Sequence, residues 1–314
     1  DRMRQGLFRI AFGIFKKAVI ADRLAFYVDD LYLHYNEISG WTTLIGGLFF
    51  FIQVYCDFSG YSDIALGAAK VIGIDVMENF KRPFFAKNLA DFWTRWHISL
   101  STWLTDYVFF YLGAYKASSY RVVFNVIFVL AICGLWHGAN WPMVLSFTMV
   151  GVFMAIRYVW QNVVVRAIKP SNSYRLFDNY FPDFMHSIIT IFLFLFCFLL
   201  FRVHTAQVAI NHLHPTEQVE WITIAKTLYS NLFRLNTANY FQEWMLNKGA
   251  IQFGVVLFFM FILFFTEAII GDAKIESVVL TKNKMTRWII YSLLLMSIVW
   301  FGIFNNTSFV YFQY

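Results

Sequence analysis

Apolar positions in this chain gather into long runs separated by short polar connections, instead of being spread evenly along it. Residues 122–132, 188–201, 251–265 and 288–304 each form, or extend into, a stretch of the roughly 17–25 residues that a membrane-spanning helix needs. A soluble core has no use for four such runs. A further run, 43–55, continues into Cys56-Asp57-Phe58-Ser59-Gly60-Tyr61-Ser62-Asp63. Its two carboxylates, with Gly60 and Gly67, predict a buried and partly broken helix lining a cavity, the setting in which irregular backbone is tolerated at membrane depth. Residues 6–28 mix apolar positions with Arg9, Lys16, Lys17, Asp22 and Arg23, which predicts an interfacial or shallow helix.

Between these segments, residues 88–112 place Phe92, Trp93, Trp96, Leu100, Trp103, Leu104 and Tyr107 at three- and four-residue spacing, the period of an amphipathic helix. Asn88 is its predicted N-cap, with Asp91 in the first turn. Residues 122–160 read as two apolar helices joined by a tight turn near 138–142. The expected fold is all-α: a polytopic helical membrane protein with one integral membrane domain over 1–314.

Composition strengthens this picture. Of 314 residues, 59% are hydrophobic, 21% aromatic and 14% charged, where soluble domains carry roughly 25% charged residues. The formal net charge of +6 does not point to nucleic acid, because the basic residues flank apolar runs. Lys116 and Arg121 precede the paired helices, and Arg157, Arg166, Lys169 and Arg175 follow them, while their connecting turn has no basic residue. The positive-inside tendency therefore puts those ends in the cytoplasm and the turn outside, and returns the loop 271–287 to the cytoplasm. Cys56, Cys133 and Cys197 are far apart and form no C-x-x-C, so neither a zinc site nor a disulfide framework is expected.

Two histidines stand out against this background: His97 in Arg95-Trp96-His97-Ile98-Ser99-Leu100-Ser101, and His137 in Gly134-Leu135-Trp136-His137-Gly138-Ala139-Asn140-Trp141. An ionisable side chain in a membrane segment is costly and raises a functional hypothesis, and histidine suits proton transfer near neutral pH. From position alone, each also fits a plainer role. His137 could anchor a helix end beside tryptophans, and His97 could be a polar-face residue bonded to Ser99 or Ser101. Asp57, Ser59, Ser62 and Asp63 lack a G-x-S-x-G elbow and fit helix hydrogen bonding better than nucleophilic catalysis. His212 and His214 are too sparse to argue for a metal, and no Gly-rich phosphate loop is present.

Four ordered blocks carry a family resemblance: residues 54–63, the run Glu78-Asn79-Phe80-Lys81-Arg82-Pro83-Phe84, residues 91–104, and residues 134–141. Together they resemble the membrane-bound O-acyltransferase (MBOAT) family. Within it they are similar to the bacterial branch typified by the alginate O-acetyltransferase membrane subunit. The D-alanyl-transferring protein of teichoic acid modification is a more distant likeness. The resemblance implies an MBOAT-like bundle with a transmembrane tunnel, and leads to the expectation that the family's N-terminal helices are missing from this chain. It departs from the pattern W-L-R-D-Y … I-P-L-G-G at Thr105 and Ala114, where the family has arginine and glycine.

On this resemblance His137 matches the family's invariant histidine and His97 its second polar position, facing one tunnel. Acyl transfer from a thioester to a hydroxyl needs a base and a group that steadies the oxyanion, and no bound cofactor or metal. His137 is the expected base and His97 its partner, with Ser99, Ser101 and Asn140 as secondary donors. Trp136, Trp96 and Trp93 are expected to wall the tunnel. Arg95, Lys81 and Arg82 either attract the phosphates of acetyl-CoA, the expected donor, or act as ordinary membrane anchors. The implied setting is the bacterial cytoplasmic membrane, with an exported polysaccharide as acceptor and an extracytoplasmic acetyl-handling partner protein. D-alanyl or other acyl transfer is the nearest alternative. A proton-coupled transporter is the alternative of another class.

Overall fold

The computed structural model describes residues 1–116, 118–164, 183–216, 218–233 and 249–304. Among these, every regular element is helical, and six helices are long and apolar enough to cross a membrane: Gly40–Val71, Ser119–His137, Trp141–Asn162, Phe184–Leu213, Ala250–Ile270 and Lys284–Phe301. The chain is a multi-pass helical membrane protein. It divides into two compact units, Asp1–Glu78 with Thr205–Tyr314, and Asn79–His204.

The first unit begins with α1 (Arg2–Ile14), a wider π-type stretch over Phe15–Ala21, and α2 (Asp22–Leu33), then turns into α3 (Gly40–Val71). Ser39 caps α3 by accepting from the Thr42 amide. The expected break in this segment does not occur, and α3 runs unbroken for 32 residues. The glycines that suggested a break serve close packing instead. A Cβ on Gly13 would lie 2.5 Å from the Gly60 carbonyl oxygen, and one on Gly6 would lie 2.6 Å from that of Gly67. Because Gly6 meets Gly67 and Gly13 meets Gly60, α1 and α3 run antiparallel with their backbones in contact, which larger residues forbid.

That close approach decides where the charges of residues 6–28 go, and α1 and α2 are not among the helices long and apolar enough to cross a membrane. Arg9, Lys16, Asp22 and Arg23 are buried, and α3 supplies carboxylates to Arg9, Lys16 and Lys17. Lys16 pairs with Asp63 at 2.5 Å and Lys17 with Asp57 at 2.6 Å, while Arg9 reaches Asp63, Glu78 and Glu276. Burial opposes the charge on Arg9, but its three carboxylates outweigh burial and raise its pKa.

The second unit contains α4 (Leu89–Arg95), α5 (Ile98–Leu104), α6 (Ser119–His137), α7 (Trp141–Val159) and α8 (Asp183–Phe198). The hairpin of α6 and α7 matches the expected pair of apolar helices and their turn. The expected single helix over 88–112 is instead interrupted at Trp96 and His97. Asn88 does cap α4, accepting from the Asp91 amide at 3.0 Å. Beyond α8 the chain continues through α9 (Val203–Leu213), α10 (Trp221–Leu232), α11 (Ala250–Ile270), α12 (Ile275–Leu280) and α13 (Lys284–Phe301). Of the charged residues read as anchors, Arg166, Lys169 and Arg175 lie outside the described residues.

Candidate active site

His97 owes its position to the break between α4 and α5. Trp96 leaves the helix in an extended conformation, and His97 adopts the left-handed region at φ 45° and ψ 55°. A non-glycine residue there is uncommon and is held only where its surroundings insist on it. Those surroundings are identifiable. The Asn79 carbonyl accepts from the Ile98 amide at 3.0 Å, and its side-chain oxygen accepts from the Ser99 amide at 3.2 Å. The Lys81 amide donates to the Arg95 carbonyl at 2.9 Å, closing the other side of the break. Trp96 fastens the turn to the core by packing on Phe80, Phe92 and Phe198.

The His97 ring folds back over the start of α5, where its Nδ1 accepts from the Leu100 amide at a long 3.4 Å. In the neutral tautomer that this contact fits, the proton is carried on Nε2, which makes that nitrogen a hydrogen-bond donor. Burial pushes this imidazole down to about 4, which keeps it neutral at pH 7.

His137 is the last residue of α6. Its ring stacks on Phe147 at 4.7 Å between centroids and meets Phe201 edge-on at 5.8 Å. Gly138 extends the chain away from the helix, and Asn140 restarts it by accepting from the Met143 amide at 3.0 Å. A Cβ at position 138 would lie 2.8 Å from the Asn140 side-chain amide, so a larger residue there would push the capping side chain aside. The two histidine rings end 6.4 Å apart at a 69° angle. A small reacting group between them lies within reach of both.

The two histidines sit at opposite kinds of helix end. His97 stands at the amino end of α5, whose partial positive charge disfavours a cation, while His137 stands at the carboxyl end of α6, which favours one. This geometry suits one ring to donate a hydrogen bond and the other to take up a proton.

The other expected site residues divide into two groups. Trp136 touches both histidines, at 6.0 Å from His97 and 4.9 Å from His137, and is exposed. Ser99 Oγ lies 3.4 Å from His97 Nδ1, and Trp93 packs on Phe147, which in turn supports His137. By contrast, Trp96 is buried as the anchor of the turn, and the Ser101 hydroxyl donates to the Ile98 carbonyl. Asn140 acts as a cap. Arg95 is paired with Asp91 at 2.7 Å, the Arg82 guanidinium lies over the Phe85 ring at 4.6 Å, and Lys81 is exposed. Sequence reasoning did not single out Asn79, Phe147 or Phe201. Asn79 lay inside a noted motif, so a signal was present, but its contact partners are set by the fold. Among the described residues, no group of three or more His, Cys, Asp or Glu side chains is placed to hold a metal.

Comparison with known proteins identifies the family. Residues 1–199 match MBOAT, the membrane-bound O-acyltransferase family. The chain is 35% identical over 210 residues to the probable alginate O-acetylase AlgI of Pseudomonas aeruginosa, covering 67% of this chain and 38% of that protein. It is 37% identical over 160 residues to the peptidoglycan O-acetyltransferase of Helicobacter pylori, covering 50% of this chain and 30% of that protein. It is 34% identical over 147 residues to the teichoic acid D-alanyltransferase of Bacillus subtilis, covering 44% and 37%. The chain thus spans about a third of the length of the curated relatives it matches.

Proposed function

Because the chain belongs to the membrane-bound O-acyltransferase family, we propose that it moves an acetyl group from acetyl-CoA, a cytoplasmic thioester, to hydroxyls of an exported polysaccharide. The transfer takes place across or at the bacterial cytoplasmic membrane, with an extracytoplasmic acetyl-handling protein as partner. The observation that carries this reading is the facing pair of imidazoles at helix ends of opposite polarity.

In this mechanism the acceptor hydroxyl attacks the thioester carbonyl while His137 takes its proton as general base. The carbonyl π electrons move to oxygen, and the Nε2 proton of His97 hydrogen-bonds the resulting oxyanion. Collapse of the tetrahedral intermediate expels the thiolate, which receives the proton from the His137 imidazolium. General-base help of this kind contributes typically about 100- to 10,000-fold. Trp136 and Trp93 restrict water around the acyl group, which protects the thioester from hydrolysis. Asn79 is a positioning residue, since it fixes the turn that presents His97. Lys81 and Arg82 attract the donor's phosphates, and Arg95 holds the Asn79–Lys81 segment against the turn. Ser99 acts as a secondary donor beside His97.

The test is His137→Ala in the protein expressed in its host, with polymer O-acetylation measured at matched protein level. The expected result is loss of acetylation, and undiminished acetylation refutes the assignment. The likeness to a teichoic acid D-alanyltransferase favours a second reading in which the acyl group is D-alanine. Supplying labelled acetate and labelled D-alanine in parallel separates the two.

A further inference from the structure

Two tryptophans, Trp136 and Trp141, flank the turn between α6 and α7, and both are exposed, yet they stand on different kinds of helix face. In α6, at 3.6 residues per turn, Phe124, Phe128 and Leu135 fall within about 40° of one another, and all three are exposed. The stripe one residue on holds Asn125, Val129 and Trp136 at the same spacing. Asn125 and Val129 are buried, but Trp136 at the head of that stripe is 57% exposed. In α7, Trp141 repeats the spacing with Leu145 and Val152, and these are exposed throughout. Trp141 therefore ends an outward stripe, as tryptophans of a membrane-interface belt do. Trp136 does not.

What Trp136 meets instead is the pair of imidazoles. Its ring lies 6.0 Å from that of His97 at 71°, and 4.9 Å from that of His137 at 79°. Both angles are steep, so neither imidazole lies flat over the indole. His137 is backed by Phe147 and Phe201, whereas the indole beside it is open. The positive-inside tendency puts this turn outside, on the side from which an exported acceptor arrives. An indole face is apolar and electron-rich. It suits a rigid ring that carries weakly positive C–H groups on one side and hydroxyls around its rim, which is the form of a pyranose. A linear polyol must first give up rotational freedom to lay its C–H groups on the same plane.

We infer that Trp136 is the platform on which the acceptor stacks: a pyranose lays its C–H face on the indole and turns a rim hydroxyl toward His137. The inference rests on the acyl-transfer reading and adds the acceptor's class to it, a cyclic sugar in preference to a linear polyol. The same stacking covers the open side of the indole, so a bound acceptor completes the wall that keeps water from the acyl group.

The experiment uses the full chain in nanodiscs, with acetyl-CoA as donor and cellotetraose as a neutral pyranose probe. Sugar binding is read by saturation-transfer NMR and acetyl transfer by mass spectrometry of the sugar. Trp136→Leu, apolar but without an aromatic face, is expected to weaken binding and raise the acceptor KM about tenfold, the size of one aromatic face contact, with kcat changed much less. Trp136→Phe, with a smaller face, is expected to keep part of the affinity, and Trp141→Leu to leave both readouts at the wild-type value. In the unaltered chain, methyl glucoside is expected to bind about tenfold more tightly than sorbitol, its open-chain counterpart of similar size. Equal binding of methyl glucoside and sorbitol overturns the inference, as does a Trp136→Leu variant with the wild-type affinity and acceptor KM. Sugar binding that depends on Trp136 without acetyl transfer supports the platform and overturns the acyl-transfer reading, so the two fail separately.

Discussion

The two compact units treat polarity in opposite ways. In Asp1–Glu78 with Thr205–Tyr314, polarity is buried as charge and answered by charge. Arg9, Lys16, Asp22, Arg23, Asp57, Asp63 and Glu276 are the buried charged side chains among the described residues, and all belong to this unit. In Asn79–His204 the chemistry-bearing groups are imidazoles set among aromatic rings, one of them held neutral by burial. A paired charge is locked by its partner, and both its proton and its position are committed. A neutral imidazole beside aromatic rings keeps its proton available for exchange. The first arrangement holds helices in register, and the second is the one on which the proposed acyl transfer rests.

The sharpest way to break this comparison is to remove a charge and a histidine and ask what each costs. Arg9→Ala takes the common partner from Asp63, Glu78 and Glu276 and leaves each with a single lysine, Lys16, Lys274 and Lys70 respectively. Stripping one member from a buried ion pair typically costs about 3–5 kcal/mol. The expected outcome is a large fall in thermal stability and in folded yield, read by a melt in detergent. Under the proposed function, His137→Ala and His97→Ala do the reverse. Each is expected to lower acyl transfer at least about 100-fold with little change in melting temperature. If the histidine variants unfold, or the Arg9 variant melts normally, the division between the units fails.

A smaller effect tests the glycine seam of the first unit. Gly13→Ala places a methyl 2.5 Å from the Gly60 carbonyl oxygen, a backbone atom that cannot swing aside. Overpacking of this kind costs typically about 1–3 kcal/mol, and the melting temperature should fall accordingly. Titration offers a gentler probe of the second unit. His97 has a folded pKa near 4 against an ordinary 6.5, so between these values the unfolded chain binds more protons than the folded one. Its contribution is unfavourable to folding as pH drops through that window and is absent above it. The wild type should therefore lose stability between pH 6.5 and 4 more steeply than His97→Asn, measured by melts across that range.

The smallest effect concerns Ala114, which occupies the left-handed region at φ 47° where the family pattern has glycine. Relieving that conformation by Ala114→Gly should stabilise the chain by about 1 kcal/mol, seen as a modest rise in melting temperature. Here a departure that the sequence exposes as a mismatch acquires a conformational cost only once the backbone angle is known.

Much of the fold was legible because a bilayer imposes a simple rule. Backbone polar groups in lipid must be satisfied within the segment, so long apolar runs become helices. The helices over Ser119–His137, Trp141–Asn162, Phe184–Leu213, Ala250–Ile270 and Lys284–Phe301 follow that rule directly. The rule says nothing about what a helix meets. Gly60 and Gly67 read as a break because glycine weakens an isolated helix. The same two residues lie within an unbroken α3 and let its backbone touch α1. Likewise the charges of residues 6–28 read as surface charges, since their partners lie as far along the chain as Glu276.

For the site, the sequence by itself determined which residue types were out of place: two histidines in apolar surroundings, each beside tryptophan. It also supplied the ordered motifs that mark the family. Only the tertiary structure decided that His97 leaves its helix in a left-handed turn gripped by Asn79, and that its ring reaches that of His137. Only there do the two rings come to stand at opposite kinds of helix end. Composition and period are local properties of a chain, whereas contact and field depend on where distant segments come to rest.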